Sequence, residues 1–129
     1  SIPVALLLTE YPNIEVVFIG GKLLKSAQVS IGIDVIESLE KIHANLCILG
    51  TRSIDLQRGV TEIDWEETQV KRAIVRHSAQ VVCLCIHEKI NTMQPYHVCD
   101  LQSVTTLVTD LSPTDPLLLP YRKAGIEVI

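Results

Sequence analysis

The stretch Ile48-Leu-Gly-Thr-Arg-Ser-Ile-Asp-Leu-Gln-Arg-Gly-Val-Thr-Glu62 ends an apolar run, Leu46-Cys-Ile-Leu49, and leads into a helical pattern that opens at Asp64. Between the two lie Gly50 and Gly59, several hydroxyls, Asp55 and two arginines. An apolar strand, a small polar loop and then a helix form the repeating step of a parallel sheet. In open α/β proteins such loops line the crevice at the carboxyl ends of the strands, where small polar ligands bind.

The same alternation continues in both directions. Toward the C-terminus, Asp64-Trp-Glu-Glu67 has the spacing of a capping box, and Glu67 with Lys71 makes an i, i+4 pair. That helix extends to about Ser78, with Val70, Ala73, Ile74 and His77 on its inner face. Val81-Val-Cys-Leu-Cys-Ile86 is a continuous apolar strand broken by His87-Glu-Lys89. A polar stretch leads to a short strand, Thr106-Leu-Val-Thr109. Ser112-Pro-Thr-Asp-Pro116 then turns into a helix from Leu117 to Ala124, Gly125 stops it, and Ile126-Glu-Val-Ile129 is a last strand.

Toward the N-terminus, Ser1 and Pro3 open a helix with Val4, Leu7, Leu8 and Tyr11 on one face. Val16-Val-Phe-Ile19, closed by Gly20-Gly21, reads as a buried strand and turn. Residues 22–33 fit more than one reading, with Val29, Ile31 and Ile33 alternating. Asp34 is placed to cap a helix carrying Ile36, Leu39 and Ile42 inward. The whole pattern predicts an α/β fold, a mostly parallel sheet with helices on both faces, in a single domain over residues 1–129.

Composition agrees. The 129 residues are 47% hydrophobic and only 4% aromatic, with mean hydropathy +0.31, and Val, Ile and Leu suit a sheet buried on both sides. A net charge of −4 without a basic patch argues against DNA binding by this segment alone. Cys47, Cys83, Cys85 and Cys99 lack metal-ligand or C-x-x-C spacing, so they read as reduced core residues of a cytoplasmic protein. Neither a secretory leader pattern nor a run of about 18 apolar residues is present. Nucleotide-fold glycine fingerprints are also missing, so neither metal nor cofactor is expected.

The candidate ligand contacts cluster at strand ends. Lys89 follows the longest apolar strand, where an ammonium meets a phosphate or carboxylate. Arg52 and Asp55 share the loop after Leu49, offering a guanidinium to an anion and a carboxylate to sugar hydroxyls. Thr51 adds a hydroxyl, while Gly20, Gly21 and Gly50 permit close backbone approach or simply make turns. No catalytic constellation stands out: Cys85 and His87 lie two apart on a buried run, and the four histidines are scattered.

Several stretches, taken in order, resemble the C-terminal effector-sensing domain of the DeoR family of bacterial transcriptional regulators. They are Ser1-Ile-Pro-Val-Ala5, Glu15-Val-Val-Phe-Ile-Gly-Gly21, Leu49-Gly-Thr-Arg-Ser-Ile-Asp55 with Gly59-Val-Thr61, Val70-Lys-Arg-Ala73, Val81 to Lys89, and Leu107-Val-Thr-Asp110. The resemblance implies a fold similar to ribose-5-phosphate isomerase and glucosamine-6-phosphate deaminase. It implies a domain that senses a phosphorylated sugar or related metabolite, in a homo-oligomer whose upstream winged helix-turn-helix binds the operator. By the same resemblance Lys89 stands near the ligand phosphate, Gly50, Thr51 and Asp55 hold loop positions, and Gly20 and Gly21 match the glycine pair.

Two departures bear on the site. Ser53 stands where the family has a second loop glycine, and Ile86-His87-Glu88 replaces the Asp-Ser-Ser before the lysine. The family's Gly-Thr-Thr phosphate loop and its DNA-binding module have no match in this sequence. The domain is therefore expected to be incomplete at its N-terminus and to bind sugar phosphates weakly. The alternative is an isomerase or deaminase on the same fold, with Asp55 and Lys89 as acid and base. A third reading has the stripe Val29, Ile31 and Ile33 pairing as an exposed strand between subunits.

Overall fold

The computed structural model describes residues 1–129. Its centre is a four-stranded, fully parallel sheet made by β3 (Ala44–Gly50), β6 (Ser78–Leu84), β8 (Thr106–Val108) and β9 (Glu127–Val128), in the order β3-β6-β8-β9. Each of these strands lies within or beside an apolar run of the sequence. Between β3 and β6 runs α3 (Trp65–Arg76), which packs on both strands, and α4 (Leu119–Lys123) packs on β9. Asp64 caps α3 through Oδ1, accepting from the Glu67 N–H at 2.8 Å. The reciprocal half of the capping box is not made, because the Glu67 carboxylate turns to Lys71 instead, at 2.8 Å.

Alternation along the strands shows which side holds the core. Cys47 and Leu49 of β3 and Val81 and Cys83 of β6 are buried, together with Cys85, Leu107, Leu118, Tyr121 and Ile126, in one cluster of sixteen apolar residues. The opposite face is open along β3 and β6, where Leu46, Ile48 and Leu84 are exposed. The four cysteines are free and buried as expected. Burial pushes their thiols up, Cys47, Cys85 and Cys99 to about 11 and Cys83 to about 12.

Two smaller antiparallel sheets complete the fold. The loop after β3 is itself a hairpin, β4 (Ser53–Asp55) and β5 (Gly59–Glu62). Its partner β7 (Tyr96–Cys99) comes from the stretch read as merely polar, and pairs with β5 through a bulge at Val60/Thr61. Gly59 sits at φ +67° in the hairpin, and a Cβ there would lie 2.2 Å from the Cys99 carbonyl oxygen. The ambiguous residues 22–33 form a second hairpin, β1 (Lys22–Leu24) with β2 (Val29–Ile31), followed by α2 (Ile33–Leu39). Gly32, and not Asp34, precedes the first turn of α2; Asp34 lies within that turn. Ile31 is fully buried against Val35 and Val70, so Val29, Ile31 and Ile33 do not form an exposed inter-subunit strand.

The largest departure is at the N-terminus. Residues 16–19 belong to no strand and make no backbone hydrogen bond to other backbone groups. Val17 is 77% exposed and Phe18 51%. Within these residues no strand lies beside them, and an apolar run without a neighbour cannot complete a ladder. The helix α1 (Ile2–Leu8) buries none of its residues, and Ser1 makes no side-chain cap bond. The outer edge of β3 is likewise unpaired. No helix is long and apolar enough to cross a membrane.

Candidate functional site

Between the carboxyl ends of β3, β6 and β8 and the extended residues 17–19 lies a cleft of about 850 Å³. This is the crevice position expected of an open parallel sheet. Its floor is apolar, with Ile48, Leu84, Ile86 and Val108 among its residues. The polar groups gather in one region, from Gly50, Thr51, Arg52 and Lys89 to Glu62, Glu67, Lys71 and Asp110.

Lys89 closes a single 3-10 turn, His87–Lys89, that follows β6. Its backbone N–H donates to the Ile86 carbonyl at 3.0 Å, and its carbonyl accepts from the Thr92 hydroxyl at 2.8 Å. These bonds aim the side chain across the cleft, where Nζ donates to the Thr51 carbonyl oxygen at 3.2 Å. Lys89 has no carboxylate within ion-pair distance, and one carbonyl engages only one of its three N–H groups. Thr51 is buried, and its N–H extends the parallel ladder to the Leu84 carbonyl at 3.3 Å. At Gly50 no atom lies within 4 Å of the place a Cβ would take, so the strand end stays open to a ligand.

The start of the turn is pinned by Asp110, just beyond β8. One oxygen of Asp110 accepts from the His87 backbone N–H, and the other contacts His87 Nδ1, each at 2.7 Å. The hydrogen bond and charge of Asp110 raise the pKa of His87, and His87 in turn lowers that of Asp110. His87 and Asp110 thus tie two strand ends together beside Lys89.

Three residues singled out from the sequence stand outside the cleft lining: Asp55, Gly20 and Gly21. The Asp55 carboxylate accepts from the backbone N–H groups of Gln57 and Arg58 at 2.8 and 2.9 Å, closing the β4–β5 turn. It stands outside the cleft lining to which Lys89 belongs, although Ile54 and Ile90, the neighbours of Asp55 and Lys89, pair through an isolated parallel bridge. Gly21 packs against α2 and β2, where a Cβ would meet Val35 at 2.5 Å and the Ile31 carbonyl at 2.7 Å. Gly20 has open space around it.

Sequence reasoning missed the most buried polar group of the site. Glu62 ends β5 with its side chain 3% exposed. One oxygen pairs with Lys71 of α3; the other accepts from the Ile63 N–H at 2.9 Å and lies 3.7 Å from Arg52 Nε. The Glu67–Lys71 pair was visible in the spacing. That Glu62 joins it was not, because the contact depends on the hairpin folding back onto α3. No group of three His, Cys, Asp or Glu side chains is placed to hold a metal ion.

Comparison with known proteins places these features in context. Residues 1–111 match the family model described as the DeoR C terminal sensor domain. The chain is 30% identical over 129 residues to the HTH-type transcriptional repressor GlcR of Bacillus subtilis (strain 168), covering 100% of this chain and 50% of that protein. It is 29% identical over 126 residues to a putative aga operon transcriptional repressor of Escherichia coli O157:H7, covering 98% and 47%. It is 28% identical over 103 residues to the glycerol-3-phosphate regulon repressor of Haemophilus influenzae, covering 80% and 40%. The chain thus spans about half the length of the curated relatives it matches.

Proposed function

The chain belongs to the DeoR family as a C-terminal sensor domain, and from that premise we propose that its 129 residues act as one ligand-sensing unit of a cytoplasmic bacterial regulator. The cleft takes up a phosphorylated sugar or related metabolite, and occupancy modulates DNA binding by a helix-turn-helix module upstream in the full-length protein. The ligand does this by favouring one of two arrangements of a homo-oligomer.

The carrying observation is Lys89, an ammonium without a carboxylate partner, aimed across a strand-end cleft. Gly50 and Thr51 form the facing backbone, and Arg52 is a second cation at the rim. Asp55 acts at one remove by holding the hairpin, and Gly20 and Gly21 by shaping the chain beside the cleft. One relative's name carries glycerol-3-phosphate, a phosphorylated polyol of the class proposed here. The isomerase or deaminase reading is the weaker one, because Asp55 stands outside the cleft lining and its carboxylate serves the hairpin turn.

The test is calorimetric titration with ribose 5-phosphate, glucosamine 6-phosphate and glycerol 3-phosphate. At least one binds, with a Kd above roughly micromolar, and Lys89→Ala weakens it by about ten- to hundredfold, the worth of one charge-assisted hydrogen bond. Failure of the wild-type protein to bind any of the three, or equal binding by Lys89→Ala, would overturn the reading.

A further inference from the structure

Glu62, Lys71 and Glu67 form a compact ionic group on the wall of the same cleft. The side chains of all three are nearly buried, at 3%, 14% and 13% exposure. Burying two carboxylates and an ammonium is a poor way to gain stability, since desolvation offsets most of the attraction. Apolar residues at these positions would serve a purely structural role as well. The group also faces a cleft whose floor is otherwise apolar, where it supplies concentrated polarity.

Its hydrogen-bonding capacity defines what it can receive. The Lys71 ammonium has three N–H donors, two of which meet Glu62 and Glu67, leaving one. The carboxylates keep lone pairs beyond those used by Lys71 and by the Ile63 N–H. A hydroxyl both donates and accepts, so it fits a carboxylate oxygen and the remaining ammonium N–H together. An anion is the poorer fit, because both carboxylates already claim the Lys71 ammonium and the Arg52 guanidinium approaches Glu62 at 3.7 Å.

Lys89 offers the opposite environment, a cation with no carboxylate partner. The two ends are tied to adjacent residues of one loop: Lys89 holds the Thr51 carbonyl, and Glu62 lies beside the Arg52 guanidinium. Both ends line the same cleft of about 850 Å³, a size that suits a single small ligand contacting both.

We propose that Glu62, Lys71 and Glu67 are the hydroxyl-recognising end of the cleft. The ligand is then a polyhydroxylated anion seated with its anionic group at Lys89 and its hydroxyl-bearing chain on the Glu62–Lys71–Glu67 group. This rests on the sensor reading above, and it assigns the discrimination between a sugar phosphate and a plain phosphate to residues of β5 and α3.

The experiment compares the tightest of the three hydroxylated phosphates named above with n-pentyl phosphate, which carries the anion without hydroxyls. The wild-type protein binds the hydroxylated compound about tenfold or more tightly. Glu67→Gln loses most of that preference and leaves n-pentyl phosphate binding unchanged, whereas Lys89→Ala weakens both. Equal binding of the two compounds by the wild-type protein overturns the proposal, and this outcome does not depend on any variant folding. A preference that survives in Glu67→Gln and in Glu62→Gln, each checked by thermal melting, overturns it as well. If the wild-type protein binds neither compound, the sensor reading itself has failed, a result distinct from loss of discrimination.

Discussion

Asp110 grips His87 at two atoms, and the pair sets the start of the turn that carries Lys89. The folded-state pKa of His87 is raised, so its contribution is full below the unfolded value of 6.5 and is lost as pH rises through the higher folded value. The pKa of Asp110 is lowered, so its contribution is full above 3.8 and is lost as pH falls through the lower folded value. The contact is therefore fully formed between those two unfolded values. Both side chains are about half exposed, which keeps the stability gain small, and the titration itself is the better measurement. In an NMR titration the His87 ring midpoint lies above 6.5, and in Asp110→Asn it falls back toward that value. A midpoint unmoved by the substitution would mean that the contact does not persist in solution. Other residue assignments read from sequence depended on neighbours that the sequence does not display. Lys89 keeps its predicted place at a strand end because position after a strand is a local property. Asp55 has the right chemistry for sugar hydroxyls, yet its oxygen is engaged by amides two and three residues ahead.

At the level of elements, the hairpin β4–β5 decides how the cleft wall is built. It replaces what the sequence reads as a loop, and it carries Glu62 back onto α3. Gly59 makes this possible, with a left-handed φ of +67° and the Cys99 carbonyl where a Cβ would be. The left-handed conformation alone costs a side-chain residue about 1–2 kcal/mol, and displacing the β7 backbone adds to it. Gly59→Ala is therefore expected to lower stability by more than about 2 kcal/mol, measured by urea denaturation. A loss below about 0.5 kcal/mol, the ordinary range for surface changes, would show that the hairpin is not held as described. The parallel strands and α3 were readable because long apolar runs and a 3.6-residue period are strong signals. The strand β7 was not, since Tyr96-His97-Val98-Cys99 is short, mixed in character and defined only by its partner β5.

The whole molecule exposes 7988 Å², whereas a closed monomer of its mass exposes about 6800 Å². Among its open features are the cleft, the unpaired outer edge of β3 and helix α1, where Val4, Leu6 and Leu7 are all more than half exposed. We predict that this apolar surface serves as an association face, for which about 800 Å² per partner makes a stable interface. The 14.3 kDa chain is accordingly expected to scatter light as a dimer or larger species; a strict monomer at high concentration would refute this. At this scale the division between sequence and structure is clear. The sequence by itself determined the α/β class, the mostly parallel character of the sheet, the capped helix α3 and the place of Lys89 after a strand. Each of these follows from hydrophobic period, chain punctuation and position along the strand, which are local. Only the tertiary structure decided that residues 16–19 stand unpaired, that Ile31 is buried, that Asp55 serves a turn, and that Glu62 meets Lys71 in the cleft. Those outcomes depend on which surfaces and hydrogen-bonding groups have a partner in space, a property of the packed chain and of no single stretch.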